Sequence, residues 1–400
     1  MTGKYSATPG DERWLLPDGV EELLPEQAAR VEAMRRQLLD LYHRWGYELV
    51  IPPLIEYTES LLIGLGKDLD LQTFKLTDQL SGRLLGVRPD ITPQAARIDS
   101  HSLRSDGPVR LCYAGSVLHT RPRSPFASRS PIQVGAELYG ASSIEADIEI
   151  VCLMLETLER VGIRGVTLDL GHVGIFGALM DQAALDAQDR EALFEALQNK
   201  SGSVIADILA QSGLDAARAS LLAQLARLNG GIDVLDEADQ LFQGAGREVS
   251  DALGTLRRVA EVVSVRLPQV RLHFDLCELH GYHYHTGLVF AAYVTGHGEA
   301  VANGGRYDDI GRVFGRARPA TGFNTDLKTL LNLQGTGTAP ENGRGVFVAH
   351  ALADAAWEEV VRLRESGERV VVGMPGQAGV SSCDRELVRD GRGWRIHDLS

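Results

Sequence analysis

The stretch from Leu111 to Gly140, LCYAGSVLHTRPRSPFASRSPIQVGAELYG, sets two apolar, strand-like runs on either side of an arginine-rich loop broken by prolines. The second run, Ile132-Gln133-Val134-Gly135-Ala136-Glu137-Leu138, reads as a strand, whose two-residue period makes Gln133 and Glu137 project from one face. An amide beside a carboxylate suits a ligand that carries an ammonium group or an NH-bearing ring. Upstream, Val87-Arg88-Pro89-Asp90-Ile91-Thr92 ends another strand on Asp90 and Thr92, a second carboxylate and a hydroxyl for the same pocket. Together these groups have the chemistry of amino-acid recognition.

The chain around this stretch has 400 residues, enough for two to three domains of about 150 residues each. With 44% hydrophobic and 24% charged residues it has the composition of a soluble protein with a substantial core. A net charge of −14 weighs against a nucleic-acid binder, which neutralises phosphates with a basic face. Cys112, Cys152, Cys277 and Cys383 are far apart and form no CxxC pair, which fits reduced thiols better than a disulfide framework. The polar start, MTGKYSATPGDERW, lacks an apolar signal region, and no run approaches the ~18 apolar residues of a membrane span. The expected compartment is the cytoplasm.

Residues 1–13 read as a loose arm. From Pro25 to Trp45, Val31, Met34, Leu38, Leu41 and Trp45 recur at helical spacing, and Gly46 is placed to end that helix. Tyr47 to Ile51 reads as a strand stopped by Pro52-Pro53. Thr73–Leu80 and Arg83–Val87 form a hairpin around Ser81-Gly82, followed by a short helix from Pro93 to Ser102 for which Thr92 is a candidate N-cap. Arg110, Arg121, Arg123 and Arg129 concentrate positive charge that could hold an anionic ligand or a partner's acidic surface, or form a solvated loop. Ile148, Val151, Cys152, Leu155 and Leu158 mark a second amphipathic helix, and Val166–Leu170 a strand. Residues 177–264 turn rich in Ala, Leu, Gln and Asp, a helical insertion of three to five helices interrupted at Gly213, Gly230-Gly231 and Gly244 to Gly246. Within it Val234-Leu235-Asp236-Glu237 lacks the glycine-rich anion cradle of a phosphoribosyl-pyrophosphate loop. Val270–Leu276 is a strand, and Asn303-Gly304-Gly305-Arg306 reads as a tight turn beneath a ligand. Residues 333–344 form a linker. The last 56 residues, 345–400, repeat strand, helix, strand and close on a hairpin around Asp390 to Gly393.

Several of these motifs, in order, resemble the class II aminoacyl-tRNA synthetases, and specifically the histidyl branch. GYELVIPP, residues 46–53, looks like the first class II motif, the stretch from Leu111 like the second, and TGFNTDLK, residues 321–328, sits where the third belongs. Between them lie two stretches similar to histidyl-branch signatures, LHGYHYHTGLVF at 279–290 and ANGGRYD at 302–308. The resemblance implies an α+β fold: an antiparallel sheet flanked by helices in two parts, 1–176 and 265–332, around the insertion at 177–264, with the small α/β domain at 345–400. It also implies a homodimer built on the first helix and strand. In the pocket it sets Glu137 against an imidazole nitrogen and Asp90, Thr92 and Gln133 against an ammonium. Tyr284, His285 and Tyr307 would border the ring, with His285 where the branch carries a tyrosine.

Where synthetases hold the nucleotide with arginine and acid, this chain has Leu118, Thr120 and Thr329, with Lys328 in place of a glutamate and His280 in place of the arginine that assists activation. Losing one fixed donor typically costs on the order of 10² in rate, so adenylate chemistry is not expected. The pattern is similar to the regulatory subunits of short-form ATP phosphoribosyltransferase. That resemblance implies no catalysis by this chain, a separate catalytic ATP phosphoribosyltransferase subunit as partner, L-histidine as feedback effector, and no tRNA, since 56 residues are too few for an anticodon-binding domain. The rival readings are a divergent histidyl-tRNA synthetase and a histidine-binding partner of another protein. A zinc site from Cys277, His280, His283 and His285 is disfavoured because a strand leaves His280 off their common face. No metal or cofactor is expected.

Overall fold

Pro25 opens helix α1 (Pro25–Arg44), where its missing N–H costs nothing. Val31, Met34, Leu38 and Leu41 are all buried, and Gly46, at φ 85°, takes the left-handed conformation that ends the helix. This computed structural model describes residues 15–62, 67–122, 124, 127–183, 185–277, 284–335, 345–391 and 393–399. The expected arm at 1–13 and most of the linker therefore lie outside the described residues, as do Arg123, His280 and His283.

The strand expected at Tyr47–Ile51 contracts to β1 (Glu48–Leu49), and β2 (Ile55–Tyr57), α2 (Thr58–Leu61) and α3 (Lys67–Gln72) come after it. The hairpin appears as β3 (Phe74–Thr77) and β4 (Leu84–Val87), which join β2 in a small antiparallel sheet. Helix α4 (Thr92–Arg97) runs into a π-helical turn at Ile98–Leu103. Thr92 is not its cap: Ile91 holds that position, and the Thr92 N–H donates to Asp90 Oδ1 at 3.0 Å. Asp90 thus accepts the first main-chain N–H of the helix, while the threonine hydroxyl turns to Tyr113 in the pocket.

Strands β5 (Val109–Ser116) and β6 (Ile132–Tyr139) form the centre of the quoted stretch, followed by α5 (Ile144–Arg160) and β7 (Val166–His172). Helices α6 (Val173–Ala183), α7 (Ala187–Gln198), α8 (Gly202–Gln211) and α9 (Ala216–Leu225) come next. After the short β8 (Asn229–Gly230), α10 (Asp233–Leu241) and α11 (Arg247–Arg266) complete the helical segment. The chain re-enters the sheet with β9 (Arg271–Asp275), β10 (Leu288–Val294), β11 (Ala302–Arg306) and β12 (Ala320–Asp326), and α12 (Leu327–Leu333) closes this part.

The resulting nine-stranded sheet has the order β1-β5-β6-β12-β11-β10-β7-β9-β8. Only β1–β5 and β7–β9 pair in parallel. On β6, Val134, Ala136 and Leu138 enter the large apolar core with α1 and α5, while Tyr139 belongs to a second cluster beneath α4. Alternation therefore aims Gln133 and Glu137 away from the main core, at the face that α4 partly covers. The expected turn at 303–306 is instead strand β11. Gly304 and Gly305 have no positive φ and serve close approach of main chain rather than a bend.

Contacts divide the chain into two units, 1–335 and 336–400. In the second, β13 (Val346–Val348) pairs in parallel with β14 (Val370–Val372) and β15 (Arg385–Asp390), and β15 pairs antiparallel with β16 (Gly393–Asp398). Val346, Val348, Val370 and Leu387 pack with Val360 and Leu363 of α13 (Trp357–Glu365). A 3-10 turn at His350–Leu352 precedes that helix.

Candidate functional site

Glu137 sits at the middle of β6, 1% exposed, with Leu111 of β5 on one side and Gly322 of β12 on the other. Its Oε1 accepts a hydrogen bond from the Tyr113 hydroxyl at 2.9 Å, and Oε2 accepts one from the Tyr307 hydroxyl. Tyr113 in turn meets the Thr92 hydroxyl at 3.1 Å. Burial pushes the Glu137 carboxyl up to about 8, against the opposing pull of hydrogen bonds from Tyr307, Tyr113 and Thr92. The carboxyl fits because its neighbour is glycine: a Cβ on Gly322 would stand 1.5 Å from Oε2. Gly305, paired with Gly322 across β11, likewise has no room for a Cβ beside the His285 ring.

Asp90 lies at the turn into α4, beside Gln133 of β6. The Gln133 side-chain NH₂ donates to Asp90 Oδ1 at 2.8 Å, and its carbonyl oxygen accepts the Ile91 N–H at 2.8 Å. The amide thus fixes the acid rather than reaching out alone. Asp90 Oδ2 takes no hydrogen bond from the described residues.

Tyr307 comes directly after β11 and is held by Arg306, whose guanidinium pairs with Asp147 of α5 at 2.9 Å and with Asp308 at 3.1 Å. Tyr284 stacks on Tyr307, centroids 5.0 Å apart and planes at 27°, and His285 meets Tyr284 edge-on at 5.4 Å. The Tyr284 hydroxyl is buried with no hydrogen-bond partner among the described residues. Leaving it so costs about 1–3 kcal/mol, a deficit a polar ligand would relieve.

Asp90, Thr92, Glu137, Tyr284, His285 and Tyr307 line one cavity of about 130 Å³. That is well under the ~300 Å³ at which drug-sized pockets begin and suits a small polar molecule. Gln133 lines an adjoining cleft of about 1010 Å³ instead, and Asn303 and Asn324 line both. Of the residues involved, sequence reasoning missed Tyr113 and Asn324. Tyr113 shares its strand face with Leu111, but an aromatic in a buried strand looks like core until its hydroxyl is placed.

Of the positions where the synthetase resemblance puts nucleotide-holding residues, Lys328 and Thr329 line the larger cleft, whereas Leu118 and Thr120 do not. The Leu118 N–H is spent on the Arg88 carbonyl, and the Thr120 hydroxyl donates to the Leu71 carbonyl at 2.6 Å. The Thr329 hydroxyl donates to Asp326 at 2.9 Å, and Lys328 pairs with Glu21 at 3.2 Å. The expected arginine cluster disperses. Arg110 pairs with Glu149 of α5 at 2.7 Å, and Arg129 donates to the Asp18 and His119 carbonyls. Among the described residues no group of three or more His, Cys, Asp or Glu could hold a metal ion, and no helix is long and apolar enough to cross a membrane.

A mostly antiparallel sheet flanked by helices, with an acid-and-tyrosine pocket beside an open cleft, defines a class II aminoacyl-tRNA synthetase-like chain. The histidyl-tRNA synthetase family matches residues 19–330, and the ATP phosphoribosyltransferase subunit HisZ C-terminal domain matches residues 343–397. Two ATP phosphoribosyltransferase regulatory subunits are close relatives. That of Thioalkalivibrio sulfidiphilus is 58% identical, with 97% of this chain and 99% of the relative covered, and that of Nitrosococcus oceani is 54% identical, with 98% of each covered. The crystal structure of an ATP phosphoribosyltransferase regulatory subunit/histidyl-tRNA synthetase from Bacillus halodurans superposes with a TM-score of 0.80 at 28% identity, covering 92% of this chain and 95% of that one. A histidyl-tRNA synthetase from Nostoc shares the fold at a TM-score of 0.76 and 19% identity, over 94% and 91% of the two chains. The chain belongs to the family of ATP phosphoribosyltransferase regulatory subunits.

Proposed function

We propose that this chain is the non-catalytic regulatory subunit of an ATP phosphoribosyltransferase, acts with a separate catalytic subunit in the first step of histidine biosynthesis, and relays feedback by L-histidine bound in the small pocket. The observation that carries the sensor reading is the buried Glu137, held by Tyr113 and Tyr307 within the cavity that Asp90 also lines. Glu137 takes the imidazole, the stacked pair Tyr284 and Tyr307 borders it together with His285, and Asp90, steadied by Gln133 and Thr92, takes the ammonium. Histidine shifts the complex by binding one arrangement of subunits better than another, since only differential affinity moves an equilibrium. The chain charges no tRNA, a reading supported by the net charge of −14. We assign residues 177–264 as a helical insertion and 345–400 as a separate small domain.

Calorimetry on the purified chain should show histidine binding, with pyrophosphate exchange dependent on histidine at background. Glu137→Gln should weaken binding on the order of 10- to 100-fold, the worth of one charge-assisted hydrogen bond, and relax feedback while subunit assembly persists. Unchanged inhibition in that variant would remove the sensor from this pocket. Robust pyrophosphate exchange would favour a divergent synthetase instead.

A further inference from the structure

The small pocket and the larger cleft share Asn303 and Asn324 in their linings, and Gln133, which orients Asp90, lines the cleft. A histidine with its ammonium at Asp90, beside Gln133, and its ring at Glu137 turns its carboxyl end toward this shared edge. The charge found there has the wrong sign for a carboxylate. Among the described lining residues the cleft carries the carboxylates of Glu21, Glu299 and Asp326 against the single ammonium of Lys328, which Glu21 already holds at 3.2 Å. The N–H groups at the start of α12 offer no substitute, because Asp326 accepts those of Lys328 and Thr329, both at 3.2 Å. A cleft lined by one sign of charge attracts the other.

We infer that the site accepts histidine whose carboxyl end is neutralised or extended by an amide, and in particular peptides with an N-terminal histidine followed by a basic residue. The ring and the amino group are read closely, and any group beyond the carbonyl is selected only by charge. This rests on the proposal that the pocket senses histidine.

The test is calorimetry on the full chain with four ligands: L-histidine, L-histidinamide, His-Lys and His-Glu. Histidinamide should bind at least as tightly as histidine. His-Lys should bind roughly fivefold or more tighter than His-Glu at low ionic strength, a gap that narrows with added salt. The gap should also narrow in Glu299→Gln, a change at an exposed position that leaves the core untouched. If histidine itself fails to bind, the sensor reading falls and this inference with it. If histidine binds while histidinamide is tenfold weaker, or if His-Lys and His-Glu bind alike, the sensor reading stands and this inference alone is overturned.

Discussion

Glu137 is a carboxyl group whose ionisation and whose ligand are matched to each other. With a folded value of about 8, above the 4.5 of an unperturbed glutamate, the empty folded chain keeps a proton that the unfolded chain releases. Stability of the unliganded protein should therefore fall as pH rises from about 4.5 to about 8, and Glu137→Gln should flatten that slope in a calorimetric melting series. Binding carries its own signature. A complex that shares one proton between imidazole and Glu137 forms best above the free imidazole value of about 6.5, where the ligand is neutral, and below about 8, where Glu137 still holds the proton. Histidine affinity should peak in that window and drop on both flanks, with the alkaline flank lost in Glu137→Gln; a monotonic profile in the unmodified protein would contradict the shared proton. Much of this residue's setting is legible in the sequence, because alternation along β6 puts Gln133 and Glu137 on one face. Tyr113 is not legible there, because its partner is reached across strands, and only the register of β5 against β6 brings its hydroxyl to the acid.

At the scale of elements, the pocket is held by β11, β12 and α5 rather than by loops alone. The Arg306–Asp147 pair, both partners at most 10% exposed, clamps the end of β11 to α5 and so fixes Tyr307. Breaking such a pair leaves an uncompensated buried charge, so Asp147→Leu or Arg306→Met should each cost about 3–5 kcal/mol in urea unfolding. The double variant should cost less than the sum of the two. Gly322→Ala is a sharper probe of the strand itself. Its methyl would collide with the Glu137 carboxylate and should abolish histidine binding in calorimetry while circular dichroism still reports a folded chain. Helices with clean periodicity, α1 and α5 above all, are readable from spacing. Strand β11 reads wrongly as a turn because Gly-Gly is a turn signal, whereas here the glycines exist for close packing between strands. Thr92 suggests a cap for a comparable reason: its type fits that role, but Ile91 stands at the cap position and the Thr92 N–H is accepted by Asp90.

For the whole molecule, the same fold leaves apolar side chains uncovered along β1, β2 and the segment between them, with Ile51 82% exposed and Leu49, Leu54 and Ile55 each between 45% and 50%. We propose that this surface closes against a second copy of the chain, the dimer expected from the resemblance. Ile51→Asp should halve the mass seen by sedimentation equilibrium without altering the pocket; an unchanged mass would place the contact elsewhere. Glu149 of α5 accepts hydrogen bonds from both Tyr47 and Arg110, next to β1, while Asp147 two residues earlier anchors the pocket. One helix thus touches both regions. Gly305 and Gly322 line the base of the small cavity with main chain alone, the places of their missing side chains taken by the His285 ring and the Glu137 carboxylate, so any exchange at those codons can only add atoms. Such a floor can be raised but never dug deeper, so a breeder seeking a sensor for a bulkier effector would have to carve the walls, at Tyr284 and Tyr307, and leave the base alone.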